Sequence, residues 1–179
     1  MNAGKTTKLL QSNFNYKERG MKTVLYTSAN DNRFGFAKIV SRIGLSENAK
    51  VFNKDTNIYQ DIKESKNISC VFVDEAQFLS KKQVEQLCNI VDDLQIPVLT
   101  YGLRTDFLGE PFEGSQYLLL WADELIEVKT VCFCGKKATM NARIDDKGNV
   151  LRTGTQIDIG GNEKYISLCR KHFTLGCIA

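Results

Sequence analysis

The sequence predicts an α/β fold, a parallel sheet with helices on both faces, followed by a small metal-stapled lobe. Two observations carry this. Short, almost wholly apolar segments alternate with amphipathic helical ones, the pattern of buried parallel strands joined by crossover helices. After about residue 130 the texture changes, as cysteines, lysines and glycines crowd in with too few apolar residues to fold unaided. The whole chain has 179 residues, 42% of them apolar and 25% charged, which fits a globular protein burying a core. Only two prolines occur and no low-complexity tract, which excludes a disordered linker.

The elements follow in order. Lys5 to Arg19 reads as a helix closed at Gly20, a C-capping position. Lys22 to Thr27, Ser69 to Asp74 and Pro97 to Tyr101 read as buried strands, apolar at nearly every position. Glu124 to Lys129 alternates more and is expected as a strand nearer an edge. Ser80 to Leu94 opens with Ser80 and Gln83 at capping-box spacing and places Val84, Leu87, Cys88, Val91 and Leu94 on one face. Ala142 to Ile159 reads as a hairpin around Asp145–Asn149 and a following loop. The division expected is residues 1–130 for the sheet and 131–179 for the lobe.

Charge and apolar runs exclude several classes. Lys and Arg number 24 against 21 Asp and Glu, a net charge of +3 with no basic run, unlike a dedicated nucleic-acid binder. The longest apolar run, Tyr117 to Ala122, is far shorter than the ~18 residues that span a membrane. The N-terminus carries no apolar signal core, so the expectation is a cytosolic protein without a membrane partner. Six cysteines in such a compartment are expected as thiols or metal ligands.

Met1-Asn2-Ala3-Gly4-Lys5-Thr6-Thr7 matches the second half of a P-loop. Glycine lets backbone N–H groups close on phosphate oxygens, lysine places a point charge on them, and the threonine hydroxyl serves Mg²⁺. Val71-Phe72-Val73-Asp74 ends an apolar strand in aspartate, and Glu75 follows at once. In phosphoryl transfer a strand-end aspartate holds Mg²⁺, while a second carboxylate can deprotonate the nucleophile. These two motifs make the sheet P-loop NTPase-like. The motif's first glycine position, and the strand that feeds such a loop, would lie before Met1. The expectation is therefore either a start within a longer protein or an incomplete nucleotide site, with a poorly soluble, weakly active chain.

Cys132-Phe133-Cys134 and Cys169-Arg170-Lys171-His172 form two close pairs of soft ligands, the pattern of a tetrahedral Cys₃His zinc site. His172 is the sole histidine of the chain. Cys70 and Cys88 read as small core residues, and Cys177 has no partner pattern. A P-loop ATPase whose zinc lobe grips nucleic acid would use the same two elements, but this lobe lacks a basic face with interleaved aromatics.

The motifs MNAGKT, VFVDEAQF, YGLRTDF, CFCG, IGGNEKY and CRKH together resemble the zinc-containing thymidine kinases, a tetrameric class of bacteria and animals, over residues 1–173. The C-x-C and C-x-x-H pairs resemble the bacterial branch. The resemblance implies transfer of the ATP γ-phosphate to the 5′-hydroxyl of thymidine, with deoxyuridine as an alternative acceptor. It implies that Met1, Asn2, Ala3, Gly4, Lys5 and Thr6 hold the phosphates, with Asp74, Glu75, Ala76 and Gln77 also on the ATP side. Thr6 and Asp74 would serve Mg²⁺, Asp31 and Arg33 would flank the transferring phosphate, and Glu75 would act as general base. Phe78, Leu103, Phe107 and Phe112 would enclose thymine, and Tyr165 would belong to a lasso loop closing over it. A structural Zn²⁺ on Cys132, Cys134, Cys169 and His172 would fix the lasso's ends. A homotetramer and feedback by the end-product triphosphate are implied in the same way. Without the resemblance, each aromatic fits a core position as well, and Arg33 an ordinary surface one.

Overall fold

The structure, a computed structural model, describes residues 2–31, 35–158 and 163–179. Met1, Arg33 and the Gly160-Gly161-Asn162 part of the expected lasso lie outside the described residues. Helix α1 (Lys5–Glu18) leads out of Gly4 into β1 (Lys22–Ser28). A hairpin of β2 (Lys38–Val40) and β3 (Ser46–Asn48) precedes β4 (Lys50–Phe52), α2 (Ile58–Glu64) and β5 (Ile68–Val73). One 3₁₀ turn (Ala76–Phe78) then leads to α3 (Lys81–Leu94), β6 (Val98–Thr100) and α4 (Glu113–Trp121). The rest comprises β7 (Thr130–Val131), β8 (Lys137–Ala138), β9 (Met140–Arg143), β10 (Tyr165–Leu168) and α5 (Arg170–Leu175).

The central sheet has the order β4-β1-β5-β6, and every pair in it is parallel. Strand pleating splits its side chains between two covers. Cys70 and Phe72 of β5 and Leu25 of β1 meet Leu9 and Leu10 of α1 on one face. Val71 and Val73, with Val24 and Tyr26, meet Ile58 and Ile62 of α2 and Val84, Leu87 and Ile90 of α3 on the other. Both faces are thus covered, which is why the central runs Val24-Leu25-Tyr26 and Cys70-Val71-Phe72-Val73 are apolar at every position.

Three expectations are revised. Glu124 to Lys129 forms no strand, and Leu125 and Ile126 are 60% and 72% exposed. A strand persists only where a neighbour bonds it, and among the described residues β6 pairs with β5 alone. The buried face of α3 is rotated from the apolar stripe, with Gln83 and Gln86 buried and Cys88 only half-buried. The amides are satisfied: Gln83 Nε2 donates to the carbonyls of Asn53 and Thr56, and Gln86 Oε1 accepts from Ile58 N–H. Ser80 and Gln83 form the expected capping box. The turn at Asp145–Asn149 is present, but a single bridge, Ile144 to Val150, closes it. The longer ladder joins β9 to β10, with Arg143 opposite Tyr165 and Met140 opposite Leu168.

Helix α4 fixes the turn that follows β5. A Cβ placed on Gly114 would lie 2.5 Å from the Ala76 carbonyl oxygen and 2.8 Å from that of Leu79. Backbone is the obstacle, so no rotamer change can relieve it. Gly114→Ala is expected to cost ~1–3 kcal/mol, read as a melting temperature lowered by several degrees. An unchanged melting curve would show that the turn can retreat freely.

Candidate active site and metal cluster

The chain opens on a loop shaped for backbone donors. Gly4 takes a left-handed conformation (φ 79°) and leads into the N-terminus of α1, whose first N–H groups and dipole favour an anion. Thr6, in the first turn, donates its hydroxyl to Asp74 Oδ2 at 2.9 Å. That bond brings together two motifs 68 residues apart in the sequence, the pair expected to serve one ion. Asp74 Oδ1 accepts the Glu75 N–H at 3.0 Å. Asp74 is 4% exposed, and burial, with the Glu75 carboxylate beside it, pushes its carboxyl up to about 6.

Glu75 has a positive φ of 52°, a strained conformation for a residue with a Cβ. The 3₁₀ turn that follows holds it there, and the Ala76 N–H is fixed by the Tyr101 carbonyl. Gln77 donates through Nε2 to Glu75 Oε2 at 2.5 Å and accepts the Leu103 N–H at 3.1 Å. Buried Gln77 thus ties the carboxylate to the loop beyond β6. Gly102 permits this, since a Cβ there would lie 3.0 Å from Gln77 N.

These groups share one cavity of about 320 Å³. Asn2, Ala3, Gly4, Lys5, Thr6, Asp31 and Glu75 line one part of it. All five residues expected around a nucleobase, Phe78, Leu103, Phe107, Phe112 and Tyr165, line it too. Phe78 and Phe112 meet edge to face, 5.8 Å between centroids. Asp74 and Ala76 stand behind the wall, almost fully buried. The cavity lies at the carboxyl ends of β5 and β6, where parallel sheets place ligands.

Other wall residues carry no sequence signal of their own. Val40, Arg42 and Ile43 reach the cavity from the β2–β3 hairpin. Asn141, Gln156, Ile157 and Asp158 reach it from the C-terminal segment. Gln156 Nε2 donates to Asp106 Oδ2 at 3.0 Å and so ties that segment to the loop after β6.

The four soft ligands converge. Cys132 Sγ and Cys169 Sγ lie 3.4 and 3.5 Å from His172 Nδ1, and Cys134 Sγ lies 4.0 Å from Cys169 Sγ. Ligands about 2.0–2.3 Å from a tetrahedral zinc stand roughly 3.5–3.8 Å apart, so the donor set fits that ion. Burial opposes ionisation of Cys132, but backbone N–H groups of Cys134 and Cys169 and the His172 ring outweigh it and hold the thiol at about 6. The thiolate is the form a metal binds. Phe133 stacks on the His172 ring, 4.5 Å between centroids. Cys70, by contrast, is fully buried, and burial pushes its thiol up to about 11.

The raised Asp74 carboxyl has a measurable consequence. Its folded value exceeds the ordinary 3.8, so the folded chain holds a proton that the unfolded chain releases. Stability from this group is therefore full at low pH and is lost as pH rises from about 4 through about 6. Asp74→Asn keeps the shape without the buried charge: its Oδ1 still accepts the Glu75 N–H, and its Nδ2 can donate to the Thr6 hydroxyl. The variant is expected to match the parent near pH 4 and exceed it at pH 7 by on the order of 2 kcal/mol. Denaturant melts at both pH values measure this, and a gap that does not widen with pH would refute it.

A glycine loop at a helix N-terminus bonded to a strand-end aspartate, with a second carboxylate on an aromatic-walled cavity, has the features of a P-loop phosphotransferase acting on a small acceptor. The comparisons narrow the class. The thymidine kinase family model matches residues 1–173. A thymidine kinase of Coxiella burnetii is 59% identical over 180 residues, covering 98% of this chain and 92% of that protein. One of Vibrio vulnificus is 58% identical over 176 residues, covering 97% and 92%. One of Haemophilus influenzae is 56% identical over 180 residues, covering 99% and 93%. The chain belongs to the thymidine kinase family, on its bacterial side.

Proposed function

We propose that this kinase transfers the γ-phosphate of ATP to the 5′-hydroxyl of thymidine. The observation that carries this is the meeting, in one cavity, of Lys5, Thr6 and Glu75 with Phe78, Phe107, Phe112 and Tyr165. Phosphates and the stacking faces of a flat base demand these different linings, and a nucleoside acceptor needs both close together.

Lys5 and the backbone of Asn2 to Thr6 bind the phosphates and orient the γ-phosphorus toward the acceptor. Thr6 and Asp74 would hold Mg²⁺, an oxygen-seeking ion that these two oxygen groups suit; when bound it neutralises phosphate charge. Glu75 accepts the 5′-hydroxyl proton. A primary alcohol is too weak an acid to ionise first, so the proton leaves as the P–O bond forms. Gln77 holds one carboxylate oxygen and so orients the carboxylate in the cavity. The aromatic wall excludes water, which would otherwise compete as acceptor. Asp31 flanks the phosphate region.

Residues 1–130 form the nucleotide-binding unit in this reading, and residues 131–179 the zinc and lasso unit. Zn²⁺ on the Cys₃His set is structural, since all four tetrahedral positions go to protein ligands. A homotetramer and a cytoplasmic location complete the proposal; among the described residues no helix is long and apolar enough to cross a membrane. The test is an assay of thymidine 5′-phosphate formed from ATP and thymidine. ATP consumption stimulated by DNA and not by thymidine would overturn it.

A further inference from the structure

Arg143 is 5% exposed, yet among the described residues no carboxylate forms an ion pair with it. Burying a cation in this way costs stability unless its contacts compensate. Those contacts all belong to parts of the cavity wall. The guanidinium carbon lies 3.8 Å from the centroid of the Phe107 ring, within cation–π range of its face. Nε donates to the Tyr165 hydroxyl at 3.0 Å, and Nη2 donates to the Gln156 carbonyl at 3.4 Å. The Tyr165 hydroxyl in turn donates to the Asp158 carbonyl at 2.7 Å. Phe107, Tyr165, Gln156 and Asp158 all line the cavity; Arg143 does not.

One side chain therefore joins the loop after β6 to two points on the segment that covers the cavity from the C-terminal side. Gly154 lets that segment pass over the stack: a Cβ there would lie 3.3 Å from Arg143 Nη1 and 3.8 Å from the Phe107 ring. A neutral apolar residue would fill the space with less desolvation but could not grip a ring face and two oxygens together. We propose that Arg143 is a positioning residue, a latch that holds Gln156, Asp158 and Tyr165 in place against Phe107 and so sets the affinity for the nucleoside. The inference rests on the reading of this part of the cavity as the nucleoside site.

The test is steady-state kinetics on Arg143→Met, Arg143→Lys and Tyr165→Phe, with zinc content and melting temperature measured alongside. Arg143→Met is expected to raise the thymidine KM about tenfold while the ATP KM and the kcat at saturating thymidine stay within about twofold. Arg143→Lys keeps the charge and the stem but not the planar fork, so it is expected to recover little. Should the methionine variant fail to fold, the lysine variant carries the same prediction. Adding Tyr165→Phe to Arg143→Met should raise the thymidine KM by clearly less than Tyr165→Phe does in the parent, because the bond to Arg143 is already gone and only the one to the Asp158 carbonyl remains to be lost. Equal rises in both KM values, effects that multiply, or an unchanged thymidine KM would overturn the latch. Failure of the parent chain to phosphorylate thymidine would instead overturn the reading of the site.

Discussion

Glu75→Gln is expected to lower kcat by ~10²–10⁴ while leaving ATP binding nearly intact. The substitution preserves length and hydrogen bonding, and an amide oxygen can still accept from Gln77 Nε2. Only the proton acceptor is lost. The strained backbone at residue 75 makes the case stronger, because an unfavourable φ persists where the surroundings impose it, commonly at reacting groups. Gln77, Gly102 and Gly114 impose it here through contacts at the limit of packing. Pre-steady-state binding of ATP and single-turnover chemistry would separate the two effects. A Glu75→Gln enzyme turning over within a few-fold of the parent would remove the general-base assignment.

What could be read from sequence was the chemistry that sits in contiguous motifs. Gly4-Lys5-Thr6, Asp74-Glu75 and the two ligand pairs each carry their meaning within a few residues, because a phosphate cradle or a metal pair is a local arrangement. The buried strands were legible for a similar reason, since both faces of the sheet are covered and the run Cys70 to Val73 must be apolar. The short elements were not legible. β3 is Ser46-Glu47-Asn48, with no apolar period, and α2 is a seven-residue helix anchored by the Asn57 cap and by Gln86. The residues that support the cavity wall from behind were hidden too. Arg143 alternates along β9 like an ordinary solvent-facing residue, and only the ladder with Tyr165 turns it inward. Glu124 to Lys129 shows the converse failure: alternation was present, but a strand depends on a neighbour that its own residues cannot supply.

Loss of zinc is expected to be nearly as damaging as loss of the base, and more damaging to one substrate than the other. The ligands draw together the turn after β7 and the start of α5, the helix whose N-cap is Cys169. Around them lies a small apolar cluster of Ala138, Ala142, Leu168 and Phe173. That cluster is far too small to hold these elements alone. Structural zinc typically supplies ~10–16 kcal/mol of apparent binding energy, comparable with the ~5–15 kcal/mol that holds a whole domain folded. Cys169→Ser should therefore release the metal and free β10, and with it Tyr165 and the covering segment. The P-loop, on α1, keeps its bond to Asp74 and its place on the sheet. The purified parent is expected to carry about one zinc per chain, and Cys169→Ser almost none. The variant's thymidine KM should rise by well over tenfold, and its ATP KM by much less. Elemental analysis that finds no zinc in parent protein purified without chelators would end the argument. So would a metal-free variant with normal thymidine affinity, since the cavity wall would then stand without its staple.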